Sequence, residues 1–130
     1  MRVFPFTPET TASLQPGDLI AVPLETSGYA CLQVIDVRRS GPGSRSTFVA
    51  GVMPWRGDEP PSREAVSGLI AREQALVPIE IFSAGQLEVV DEGAVVPSGL
   101  PSDFEHFGAG TRHRVWGWRT AIERARAAST

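Results

Sequence analysis

The sequence predicts a mainly β protein: a small, bent antiparallel sheet or an SH3-like, partly closed barrel, with one or two short helices including one at the C-terminal end. Three observations predict it. Residues 16–39, PGDLIAVPLETSGYACLQVIDVRR, contain two apolar, β-branched runs separated by a polar break that ends in Gly28. Further short apolar runs follow, each bounded by Gly, Pro or Ser clusters. Helical spacing is confined to 63–74 and 119–128.

Along the chain, residues 1–15 read as an N-terminal arm. The runs 18–24 and 29–38 read as two strands of a hairpin. Alternation along the second puts Ala30, Leu32 and Val34 on one face and Cys31, Gln33 and Ile35 on the other. Neither face is polar throughout, which predicts burial on both sides. The stretch Arg39-Ser40-Gly41-Pro42-Gly43-Ser44-Arg45-Ser46 predicts an exposed loop. A third strand follows over 47–55, in which Gly51 marks a bulge or a close approach.

Ser62 has the character of a helix N-cap, and Val66, Leu69, Ile70 and Ala71 share a helical face, so 63–74 predicts a helix. Val77, Ile79 and Ile81 alternate with Pro78, Glu80 and Phe82, and 86–91 repeats the alternation after Ser83-Ala84-Gly85. This predicts a second hairpin. Residues 92–110 carry many Gly and Pro and predict a long surface segment, 111–118 a short strand, and 119–128 a helix of strong formers. Ile20, Val22, Leu32, Val34, Val49, Val52, Ile79, Ile81, Leu87 and Val89 are expected to supply most of one core.

At 130 residues the chain fits a single domain, 1–130, which buries about two thirds of the surface of its unfolded chain. A hydrophobic fraction of 42% and a charged fraction of 21% are those of a soluble globular protein. The apolar runs are too short to span a bilayer and the first residues lack a secretory pattern, so no membrane association and a cytoplasmic location are expected. A single cysteine excludes an internal disulfide. All twelve basic residues are arginine, yet the net charge is −3, a balance against a general nucleic-acid binder.

No catalytic or metal signature appears, so no catalytic residue, no metal and no cofactor is assigned, and the chain is not expected to be an enzyme. Cys31 lies mid-strand, where free cysteine behaves as a small hydrophobe. His106, beside Asp103 and Glu105, reads as a solvated loop histidine. Arg112, Arg114, Trp116 and Trp118 fall on one face of the last strand. They either close the core, with the arginines paired to carboxylates, or hold an anion and stack bases as an SH3-like nucleic-acid-binding module. Glu80, Glu88, Asp91, Glu92, Asp103 and Glu105 form an acidic constellation suited to a basic protein partner, with Phe104 and Phe107 as apolar anchors.

The run GDLIAVPLETSGYACLQVIDV, through Gly17, Asp18, Ala21, Pro23, Leu24, Gly28 and Tyr29, resembles the opening of the immunity protein twenty-six family. That resemblance covers about the first third of the chain. It implies a small, mostly β, cytoplasmic bacterial protein that binds and occludes a polymorphic-toxin domain, often a nuclease, without catalysis. The acidic set and its two phenylalanines would then be the toxin-binding residues. The alternatives are the nucleic-acid module above or another non-catalytic protein-interaction domain.

Overall fold

The computed structural model describes residues 2–39, 41, 44–99 and 115–128. Five antiparallel strands form one sheet: β1 (Asp18–Pro23), β2 (Tyr29–Asp36), β3 (Thr47–Gly57), β4 (Glu73–Pro78) and β5 (Glu88–Glu92). Their order is β4-β3-β2-β1-β5, and the sheet is open, so the unclosed form of the expected architecture is the one adopted. Two helices complete it, the single turn α1 (Glu80–Ser83) and the C-terminal α2 (Trp118–Ala128).

The first hairpin forms as its sequence predicts. Ile20 faces Leu32 and Val22 faces Ala30 across the β1–β2 ladder. The reversal is closed by the Leu24 amide donating to the Gly28 carbonyl at 2.9 Å. Gly28 sits at φ +88, and a Cβ there would meet the Gly57 carbonyl at 2.8 Å, so the turn needs glycine on both grounds. β3 extends two residues beyond its expected end. Gly51 pairs with Gln33 and Gln74 and marks a close approach: a Cβ would meet Ile35 and Ala71 at under 3 Å.

β2 is central and buried on both faces, as its composition requires. On one face Ile20, Val22, Leu32, Val34, Val52, Ile81, Leu87 and Val89 pack with Phe48, Phe82, Leu14 and the Ala121, Ile122 and Ala125 stripe of α2. Phe48 and Phe82 stack with ring centroids 5.8 Å apart. Ile79 packs against this cluster only partly buried, and Val49 is buried outside it. On the other face Leu19, Cys31, Met53, Val66 and Ala71 form a second, smaller cluster. The single core expected from sequence is therefore two, one on each side of the sheet.

Three expectations are corrected. The segment 63–74 is not a helix: Ser62 does accept from the Ala65 amide at 3.2 Å, but the turns end at Gly68, whose φ of +78 reverses the chain, and β4 begins at Glu73. The strand expected over 77–82 ends at Pro78, which brings no N–H to the ladder, and Glu80–Ser83 coils instead. Consequently the hairpin expected over 77–91 does not form. α1 carries the chain from one side of the sheet to the other, where β5 pairs with β1. Of the strand expected over 111–118, residues 111–114 lie outside the described residues, Val115 makes only a parallel bridge to Leu76, and Trp118 already belongs to α2.

The N-terminal arm is part of the structure. Phe4 and Phe6 pack against the larger cluster, and Phe6 exchanges backbone hydrogen bonds with Val89 at 3.0 and 2.9 Å, covering the outer edge of β5. Arg2 reaches the buried Asp18 at 2.5 Å and Glu92 at 2.7 Å, so the arm, β1 and β5 are joined by one guanidinium. Asp18 is 0% exposed and also accepts the Gln15 amide at 2.9 Å. Among the described residues, no helix is long and apolar enough to cross a membrane.

Candidate functional site

The buried polar groups hold the fold together. Besides Asp18, Gln33 donates toward the carbonyls of Gly17 and Ala94, and the Thr11 hydroxyl donates to the Ser44 carbonyl. Arg2 holds its proton more firmly than an ordinary arginine, first because of its hydrogen bond with Asp18. Cys31 is fully buried, and burial drives its thiol pKa well above the ordinary range against a smaller opposing effect of the Ile20 backbone. A thiol held protonated inside an apolar cluster is a poor nucleophile.

The expected acidic constellation is distributed unevenly. Glu80, in the first turn of α1, and Glu88, on β5, are exposed. Asp91 and Glu92 are engaged internally: Asp91 accepts the amides of Arg63 and Glu92, at 2.8 and 2.9 Å, and Glu92 pairs with Arg2. Asp103, Phe104, Glu105, Phe107 and His106 lie outside the described residues, as do Arg112 and Arg114.

The tryptophans fall on the core side of their two readings. Trp116 is 7% exposed and belongs to the larger cluster, with its amide donating to the Leu76 carbonyl at 2.9 Å. Trp118 packs against the same cluster, half-buried. Arginines of α2 cover both rings, Arg124 at 5.9 Å from the Trp116 centroid and Arg119 at 5.1 Å from that of Trp118. The rings thus face this chain's own guanidinium groups, which occupy positions a stacked base would need.

Two open clefts lie among the described residues. One, of about 440 Å³, lies between the β1–β2 turn and α2 and has mixed charge, lined by Leu24, Glu25, Arg56, Glu123 and Arg126 among others. Arg126 is held there by the Pro23 carbonyl at 3.0 Å. The other, of about 390 Å³, lies where the short 3-10 turn Thr11–Ser13 meets the β2–β3 connection. Among the described residues Thr11, Ala12, Arg38, Arg39, Ser44 and Arg45 line it, three of them arginines. Sequence reading treated this connection only as an exposed loop. The signal that could have singled it out is the bracketing of a Gly-Pro-Gly turn by Arg38-Arg39 and Arg45. Among the described residues no group of His, Cys, Asp and Glu is arranged to hold a metal ion.

Compared with protein-family models, curated proteins and solved structures, the chain matches none.

Proposed function

We propose that this protein is a non-catalytic binding domain that inhibits a bacterial toxin domain by stoichiometric occlusion, the role that the resemblance of residues 17–37 to immunity proteins implies. One observation carries the reading. Asp18, Gln33 and Thr11 are engaged in holding the arm, the sheet and the loops together and Cys31 is closed off, while Glu80 and Glu88 stand exposed. Such a division suits recognition by a rigid surface.

On this reading Glu80 and Glu88 are the carboxylates of the acidic constellation, among the described residues, that stand exposed to a basic cleft, such as a nuclease presents to phosphates. The segment 103–107 contributes Asp103, Glu105 and the two phenylalanines. Asp91 and Glu92 act indirectly, by fixing β5.

The test is binding kinetics between this protein and the C-terminal domain encoded immediately upstream of its gene, at several salt concentrations. A one-to-one complex is expected, with association that slows as salt rises. In the Glu80→Gln/Glu88→Gln variant association slows further while melting is unchanged. The absence of any complex at micromolar concentrations overturns the inhibitor reading. A complex whose association rate ignores both salt and the double substitution overturns the acidic interface.

A further inference from the structure

The seat of the N-terminal arm has the layout of a recognition surface. Burial alternates along residues 2–7: Arg2, Phe4 and Phe6 are partly buried, while Val3, Pro5 and Thr7 are exposed. This is the period of an extended segment laid on a sheet edge. Arg2 forks onto both oxygens of Asp18, at 2.5 and 2.7 Å, and also reaches Glu92 at 2.7 Å and the Ser13 carbonyl at 2.9 Å. Phe4 and Phe6 rest on the larger cluster with their rings 5.7 Å apart, and the Arg2 guanidinium lies 5.4 and 5.2 Å from their centroids. Peptides that bind by strand addition divide their contacts in the same way, with main-chain pairing for affinity and alternate side chains for specificity.

Residues 2–6 stand outside the sheet's own bonding. They take no part in the ladders that join β1 to β5, and among the described residues their backbone pairing with β5 is confined to Phe6 and Val89. Their departure breaks none of those ladders. It uncovers the outer edge of β5 and two carboxylates, one of them Asp18, which is 0% exposed and keeps the Gln15 amide at 2.9 Å. A buried carboxylate that loses its cation is strongly destabilising, so the seat is exchanged for another arginine rather than left empty.

We propose that residues 2–6 are an internal ligand on a peptide-binding edge, which takes in their place an extended segment of another protein carrying an arginine followed by aromatic residues two and four positions later. Arginine suits the seat better than lysine, because its planar fork meets both oxygens of Asp18. A segment without the arginine leaves Asp18 unpaired, and one without the aromatics leaves the apolar seats unfilled. Tethering gives the arm a local concentration in the millimolar range. It therefore closes the edge against weak competitors.

The experiment has two parts, both on the full chain. Amide hydrogen exchange followed by NMR compares Val89, whose N–H bonds to the Phe6 carbonyl, with the amides of central β2. Val89 is expected to exchange at least about tenfold faster, through release of the arm alone. Equal rates make residues 2–6 a fixed part of the fold and overturn the proposal. Titration with a synthetic peptide of residues 2–9 reads the seat directly. Saturable binding is expected, at least about tenfold tighter in the Phe6→Ala chain, whose own arm competes less well, and at least about tenfold weaker when the peptide carries Arg2→Ala. No saturable binding to either chain up to about 1 mM, or equal binding of the two peptides, overturns the proposal. Dimers that form by arm exchange as protein concentration rises, seen by ultracentrifugation, give the seat to a second copy and overturn its assignment to another protein. None of these readouts depends on whether a toxin domain binds.

Discussion

Trp116→Ala separates core closure from base stacking. The ring is 7% exposed, so nearly all of its surface is withdrawn from water, in the cluster that also holds Ala121, Ile122 and Ala125 of α2. An aromatic of this size buries up to about 250 Å², which at about 25 cal/mol per Å² is about 6 kcal/mol as an upper figure. Large-to-small substitutions at such sites cost about 3–5 kcal/mol, because the cavity partly relaxes. Loss of the ring also removes the surface under Arg124. Since a domain of this kind holds about 5–15 kcal/mol in all, the variant should lose about a fifth or more of its stability. Urea unfolding followed by circular dichroism reads the change directly, at unchanged slope if only stability is altered. Titration of both proteins with a labelled single-stranded oligonucleotide runs alongside. A loss below about 1 kcal/mol, together with oligonucleotide binding that disappears in the variant, would refute the core assignment and restore the stacking role.

Two further outcomes follow from buried groups. The unfolded Cys31 thiol titrates near its ordinary value of 9.0 and the folded one well above it, so the folded state keeps a proton that the unfolded state releases. Its contribution to stability is complete below about pH 9 and falls by about 1.4 kcal/mol per pH unit above it; urea midpoints across that range should converge between wild type and Cys31→Ala, and parallel curves would contradict this. Gly17 sits at φ +102 with its carbonyl accepting the Gly93 amide at 2.9 Å, and a Cβ would fall on the Gly93 carbonyl. Gly17→Ala should therefore cost more than about 2 kcal/mol, and a urea midpoint within error of wild type would show that the β1–β5 junction yields easily.

The parts of this fold that could be read from sequence are those in which local chemistry and tertiary pairing agree. In β1 and β2, alternation, β-branching and a glycine turn all specify a hairpin, and the ladder joins Ile20 to Leu32 as that pattern requires. From Val77 to Phe82 the same alternation misleads. It cannot register that Pro78 ends the ladder, or that the next strand belongs at the opposite side of the sheet. The helix expected at 63–74 fails at Gly68, and Gln74–Val77 are then buried by β3, a partner that local spacing cannot see. Sequence reading did place Trp116 and Trp118 together with arginines. It could not foresee that the arginines above those rings would be Arg124 and Arg119 of the following helix. The arginine cleft escaped notice because Thr11 and Arg45 meet only in three dimensions.

The Arg2 clasp also sets an order on synthesis. Glu92 lies 90 positions beyond the arginine it binds, and β5, the second neighbour of β1, emerges with it. At ribosomal rates that separation corresponds to roughly 5–20 s, during which β1, β2 and β3 can already pair. Throughout that interval the outer edge of β1 presents free N–H and C=O groups, a template for any other extended chain nearby. The nascent protein is thus most vulnerable to mispairing while it is being translated, and the arm, made before β1, is among the last parts to be seated.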